Sequence, residues 1–158
     1  MNLLPLFQWC EESGLGRTVR ESVWAFAAVE SIHLLSLATM GGAVLLVDLR
    51  LLNLGLRQRP VREVASEMQP FMNRGLAVLV VSGLTLFAAE AVKCYYSSPF
   101  QLKILALLVA TLFTYTVRRK VVLSESTEGG GARILVALVS IGLWFTVAAA
   151  GRWIGFSG

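Results

Sequence analysis

One stretch limits what this chain can fold into more than any other. Residues 24–50 read WAFAAVESIHLLSLATMGGAVLLVDLR. A helix needs about 20 apolar residues to cross a hydrocarbon core, and this stretch is long enough. Within it stand three ionisable groups: Glu30, His33 (the chain's single histidine) and Asp48. A charged Asp, Lys or Arg at the centre of a spanning helix costs roughly 2.5–3.5 kcal/mol on insertion scales. The rest of the chain is expected to surround these groups and satisfy them.

Composition points the same way. Of 158 residues, 56% are hydrophobic and 15% charged, where a soluble domain carries about 25% charged. Mean hydropathy is +0.68. We read an all-α, integral membrane four-helix bundle over residues 1–158 as a single domain, with spans at about 23–50, 75–92, 101–118 and 134–154. An N-terminal interfacial helix precedes the first span, its Trp9 at headgroup depth and Gly14 and Gly16 breaking it. A short cytoplasmic amphipathic helix lies between Pro60 and Pro70. Ser22 is the expected cap of the first span and Gly55 its stop. The Ser97–Pro99 turn starts the third span, and the basic triplet Arg118, Arg119, Lys120 ends it. Residues 124–131, SESTEGGG, form a polar loop.

Charge sets the orientation. The two connections after spans one and three, with their flanks, carry nine basic residues: Arg50, Arg57, Arg59, Arg62, Arg74, Arg118, Arg119, Lys120 and Arg133. The opposite side carries five: Arg17, Arg20, Lys93, Lys103 and Arg152. The positive-inside rule makes the nine-residue side cytoplasmic and both termini external. The net charge of +4 is thus a topology signal rather than a nucleic-acid footprint, since no basic run is interleaved with aromatics on a polar surface. The partners expected are the lipid bilayer and, in one reading, further copies of the chain or other membrane subunits. Cys10 and Cys94 form no CxxC motif; they read as two free thiols or, since both fall near one membrane face, as a disulfide.

At 3.6 residues per turn, positions 30, 33, 37, 40, 44 and 48 form one stripe, which should turn into the bundle. Gly41 and Gly42 beside it would allow a neighbouring helix close. Lys103, about one turn into the third span, is the natural counter-ion for Glu30. His33 is a ligand candidate or a partner for a hydroxyl such as Thr85 or Thr111. Asp48 has Arg50, Arg74 or Arg118 within reach as structural ion-pair partners. Catalytic sets built on Ser-His-Asp order, a P-loop or HExxH are absent.

The motifs ESIHLL (30–35), GG (41–42), DLRLL (48–52), SGLTLF (82–87) and SPFQLK (98–103) resemble an uncharacterised four-helix family of bacterial inner-membrane proteins. More distantly they are similar to the membrane domain of the copper-resistance D family and to the J-type protoporphyrinogen oxidase. The second resemblance implies haem b near His33, with Lys103 close by. The first implies copper handled at the outer face. Three readings follow. One is a redox or electron-transfer subunit holding b-type haem between spans one and three, with His33 as axial and metal ligand, Met40 as a second candidate ligand, and Glu30 and Lys103 at the propionates. The second is a small transporter or proton relay using Glu30, His33 and Asp48. The third is an assembly subunit of a larger complex.

Overall fold

The computed structural model describes residues 4–124 and 130–154. These residues are helical and turn structure throughout. Two short helices, α1 (Leu4–Glu12) and α2 (Gly14–Glu21), precede α3 (Val23–Leu51). After a loop come α4 (Val61–Ala89), α5 (Ala91–Tyr96) and α6 (Ser98–Phe113). A single π-helical turn (Thr114–Arg118) carries α6 directly into α7 (Arg119–Leu123), and α8 (Gly130–Ile154) completes the bundle. Helices α3, α4, α6–α7 and α8 are each long and apolar enough to cross a membrane. They run alternately up and down. Their outward faces carry Leu35, Leu84, Leu105 and Leu138, each more than half exposed, which suits lipid and would be costly in water. The chain is a multi-pass membrane protein.

The starts and stops follow from named residues. Ser22 caps α3 by accepting from the Ala25 N–H at 3.2 Å, and Ser97 caps α6 by accepting from Phe100. The stop of α3 is not Gly55. Leu54 N–H reaches back to the Leu49 carbonyl at 2.9 Å and Asn53 N–H to Arg50 at 3.1 Å, which is a Schellman closure. It places Asn53 in the left-handed region, at φ 59°. Leu56, at φ 50°, adopts the same conformation, which is strained for a bulky side chain.

The amphipathic segment after Pro60 is not a separate helix. It is the first part of α4, which runs through Pro70 without a break. Pro70 is exposed, so the backbone bond it forfeits is lost on the outer face of the helix. The basic triplet does not end the third span either, because the helix continues to Leu123. Gly130 and Gly131, expected in the polar loop, open α8. The rest of that loop, residues 125–129, lies outside the described residues.

The N-terminal arm is docked rather than broken at its glycines. Ser13 separates α1 from α2 and caps the latter. Glu11 accepts from the Val92 N–H at the start of α5 (2.7 Å) and pairs with Arg20. Phe7 meets Phe87 and Tyr95 edge-on. A Cβ at Gly16 would fall 2.5 Å from the Ala88 carbonyl oxygen, so the arm fits only with glycine there.

Packing is uneven along the bundle. Met40, Ala43, Val44, Met72, Ala106, Ala110, Trp144 and Val147 fill its middle. Val47, Leu51, Val64, Val122 and Ala137 fill the arginine-rich end. The close helix approach occurs at Gly75 of α4, where a Cβ would lie 2.9 Å from Met40 Cβ. Gly41 and Gly42, expected in that role, have nothing within 4 Å of their Cβ positions.

Candidate functional site

The end of the bundle that carries the described termini is hollow. A cavity of about 530 Å³ lies between α3, α4, α6 and α8 and under α5. Such a volume is in the range of small-molecule and cofactor sites. Its walls are apolar, with Phe26, Leu37, Leu79, Leu86 and Val147 among them. Six ionisable side chains reach it: Glu30, His33, Glu90, Lys93, Lys103 and Arg152, with the Cys94 thiol beside them.

His33 is held by two consecutive residues of α4. Its Nδ1 lies 2.9 Å from Ser82 Oγ. Ser82 already donates its proton to the Val78 carbonyl at 2.6 Å. In the tautomer with its proton on Nδ1, the ring donates to Ser82 and Nε2 keeps its lone pair. Gly83 gives the ring its room, since a Cβ there would sit 3.2 Å from His33 Cε1. The ring also bonds the Leu79 backbone. No buried side-chain nitrogen or oxygen among the described residues lacks a hydrogen-bond partner. His33 lines the cavity. Ser82, not Thr85 or Thr111, is the hydroxyl partner, and Thr85 bonds the Val81 carbonyl of its own helix.

Lys103 reaches the cavity from α6 with its stem laid along Gly151 of α8, about 3.4 Å from that residue's Cβ position. The expected Glu30–Lys103 pair is not formed. Both line the cavity, but no ion pair within 4.0 Å joins them among the described residues. Glu30 is exposed at the mouth, where solvent satisfies it. At the terminal end, burial with Glu90 nearby pushes the Cys94 thiol up to about 11. Cys10 and Cys94 are both unbridged.

The other polar residues belong to a separate, closed assembly at the arginine-rich end. Asp48 is fully buried; it accepts from Arg118 Nε at 2.6 Å and from Ser140 Oγ at 2.6 Å. Arg118 also donates to the Val44 carbonyl at 3.0 Å, and Trp144 Nε1 donates to Thr114 Oγ1 at 3.1 Å. Arg118 is thus a core residue. Arg50 is not the partner of Asp48. It spends its guanidinium on the Arg59 and Arg57 carbonyls and on Asn53, clamping the loop before α4. Arg74 is exposed and takes no part in the pair.

The single stripe expected on α3 divides in two. His33, Ser36, Met40, Ala43 and Val47 turn to α4, as the Ser82 and Gly75 contacts show. Glu30, Leu37, Val44 and Asp48 turn to α6 and α8. Met40 is fully buried in the packed middle and does not line the cavity, which removes it as a candidate ligand.

The chain matches the DUF6644 family, described as a family of unknown function, over residues 6–157. The chain belongs to that family. No curated protein and no solved structure matches it. The DUF6644 match covers both halves of the molecule, so the hollow end and the closed end lie within one family unit. Among the described residues no three His, Cys, Asp or Glu side chains come together as a metal-binding group.

Proposed function

We propose that this DUF6644 protein is a membrane-embedded binding protein that holds b-type haem in its hollow end, with His33 as axial ligand. One observation carries the reading: a buried histidine, tethered through Nδ1 to Ser82, lines a mostly apolar cavity of about 530 Å³. A buried imidazole held by its other nitrogen is the arrangement that ligating histidines adopt. Lys93 and Lys103 would meet the propionates, and Phe26, Leu37 and Leu79 would pack on the ring. Bound iron porphyrin supplies one-electron chemistry or an open coordination position. The chain itself orients the imidazole through Ser82, excludes water with its apolar walls and places positive charge at the acid groups. With one histidine in the sequence and Met40 turned away, the second axial position has no donor identified in this chain.

The donor set does not suit copper or zinc, which take three or four soft or imidazole ligands. A polar track through the bundle is disfavoured by the Met40, Val44, Met72 and Trp144 plug between His33 and Asp48. The nine basic residues at the arginine-rich end support a cytoplasmic position for that end, which would put the cavity near the opposite face of a bacterial inner membrane.

The test is an absorption spectrum of protein purified after expression with ample haem. A Soret band is expected, lost in His33→Ala and retained in Thr85→Ala. Colourless protein, or a Soret band unchanged in His33→Ala, overturns the reading.

A further inference from the structure

Two of the four seams around the cavity are closed by named contacts, and a third is bridged at its two ends. Between α3 and α4 stand the His33–Ser82 bond and the Met40–Gly75 approach. Between α4 and α6, Phe87 stacks on Phe100 at 5.6 Å near one end, and Tyr115 donates to Asn73 at 2.7 Å near the other. Between α6 and α8, Ala106, Ala110, Trp144 and Val147 are all buried together.

The fourth seam, between α3 and α8, opens progressively. On α3 the residues facing it go from Asp48 (0% exposed) and Val44 (2%) through half-buried Leu37 to Leu34 (54%). On α8 they go from Ser140 (0%) and Val147 (2%) to half-buried Ala148 and Gly151. Exposure along this seam therefore rises toward the terminal end. Leu34 both lines the cavity and faces outward, so the cavity meets the lipid there.

We propose that the α3–α8 gap is a lateral doorway through which a carboxylate-bearing amphiphile passes from the bilayer into the cavity, its acid group held by Lys103. This rests on reading the hollow end as a binding site. Lipid access follows from where the cavity opens, and the apolar body of the ligand from its walls. The acid group follows from Lys103, whose ammonium lies in a spanning helix without an ion-pair partner among the described residues. The charges reaching the cavity are Lys93, Lys103 and Arg152 against Glu30 and Glu90, an excess of one cation, which suits a single carboxylate.

The experiment uses the full chain in nanodiscs with a diazirine-bearing C16 fatty acid, or its methyl ester, photolysed and mapped by peptide mass spectrometry. Labelling by the acid is expected on peptides carrying Leu37, Leu79 and Val147. Lys103→Met should lower it about tenfold, the worth of one charge-assisted hydrogen bond, to the level of the ester, and Lys103→Arg should restore it. Leu34→Trp should slow the onset of labelling, while Leu35→Trp on the lipid face should not. Equal labelling by acid and ester, labels confined to lipid-facing residues, or no effect of Leu34→Trp each overturns the proposal. Size-exclusion profiles matching the parent confirm that the variants fold. The readout needs no haem: a colourless protein sinks the haem assignment and leaves the doorway standing, and a Soret band with equal acid and ester labelling does the reverse.

Discussion

Two adjoining residues of α4 position His33, one by a hydrogen bond and one by having no side chain. Ser82 tethers Nδ1, and Gly83 leaves the space that the ring occupies. Cys94 has a different environment. Its thiol is buried at the terminal end beside Glu90 and titrates at about 11 rather than the ordinary 9.0. The folded chain holds that proton more tightly than the unfolded chain does. Its contribution to stability is complete below pH 9.0 and is lost as pH rises from there through about 11. Alkylation by iodoacetamide, which needs the thiolate, should therefore be slow at Cys94 at pH 8 and accelerate toward pH 11. Fast labelling at pH 8 in the folded protein would refute this environment.

The π turn in the third span is what makes Arg118 a core residue. The buried positions on that span are 106, 110, 114, 118 and 122, spaced four apart throughout. In an α-helix each four-residue step advances the side chain by about 40° around the axis, so such a row would drift off the core within two turns. The wider turn at Thr114–Arg118 reverses part of that drift and returns Arg118 to Asp48. Removing one member of a buried pair leaves the other charge uncompensated. Arg118→Leu and Asp48→Leu should each cost about 3–5 kcal/mol in detergent unfolding, and the double variant should recover most of that loss. Single-variant costs under about 1 kcal/mol would sink the account. The exposed pairs of Arg59 with Glu63 and Glu67 raise the Arg59 pKa but contribute little to stability, being open to solvent.

The bundle as a body has a packed end and a hollow end, and the division explains its sequence. The closed end puts Asp48, Arg118 and Ser140 under buried valines and alanines. The hollow end keeps large side chains on its walls and ionisable groups around its mouth. A volume increase should be felt differently at the two ends. Leu37→Phe, into the cavity, is expected to cost under about 1 kcal/mol. Ala110→Leu, at a fully buried position between α6 and α8, should cost about 1–3 kcal/mol by overpacking. Thermal unfolding in one detergent compares them, and equal costs would contradict the asymmetry.

The four spans and the Ser22 and Ser97 caps can be read from residues alone, because lipid imposes its length and polarity limits on each segment locally. The same local limits mark Glu30, His33 and Lys103 as odd residues at one end. Partner choice is another matter. Asp48 had three arginines at the same end of the bundle by topology, and only the rotation of the third span about its axis, altered by five π-helical residues, selects Arg118. His33 and Asp48 shared one stripe by periodicity, yet that stripe is wide enough to touch two neighbours, and the crossing at Gly75 assigns His33 to α4 and Asp48 to α6 and α8. The cavity itself depends on how α3, α4, α6 and α8 come together at the terminal end, which no single segment carries. Segment chemistry therefore dictates what crosses the membrane, and the angles between segments decide which buried groups meet and where the bundle stays open.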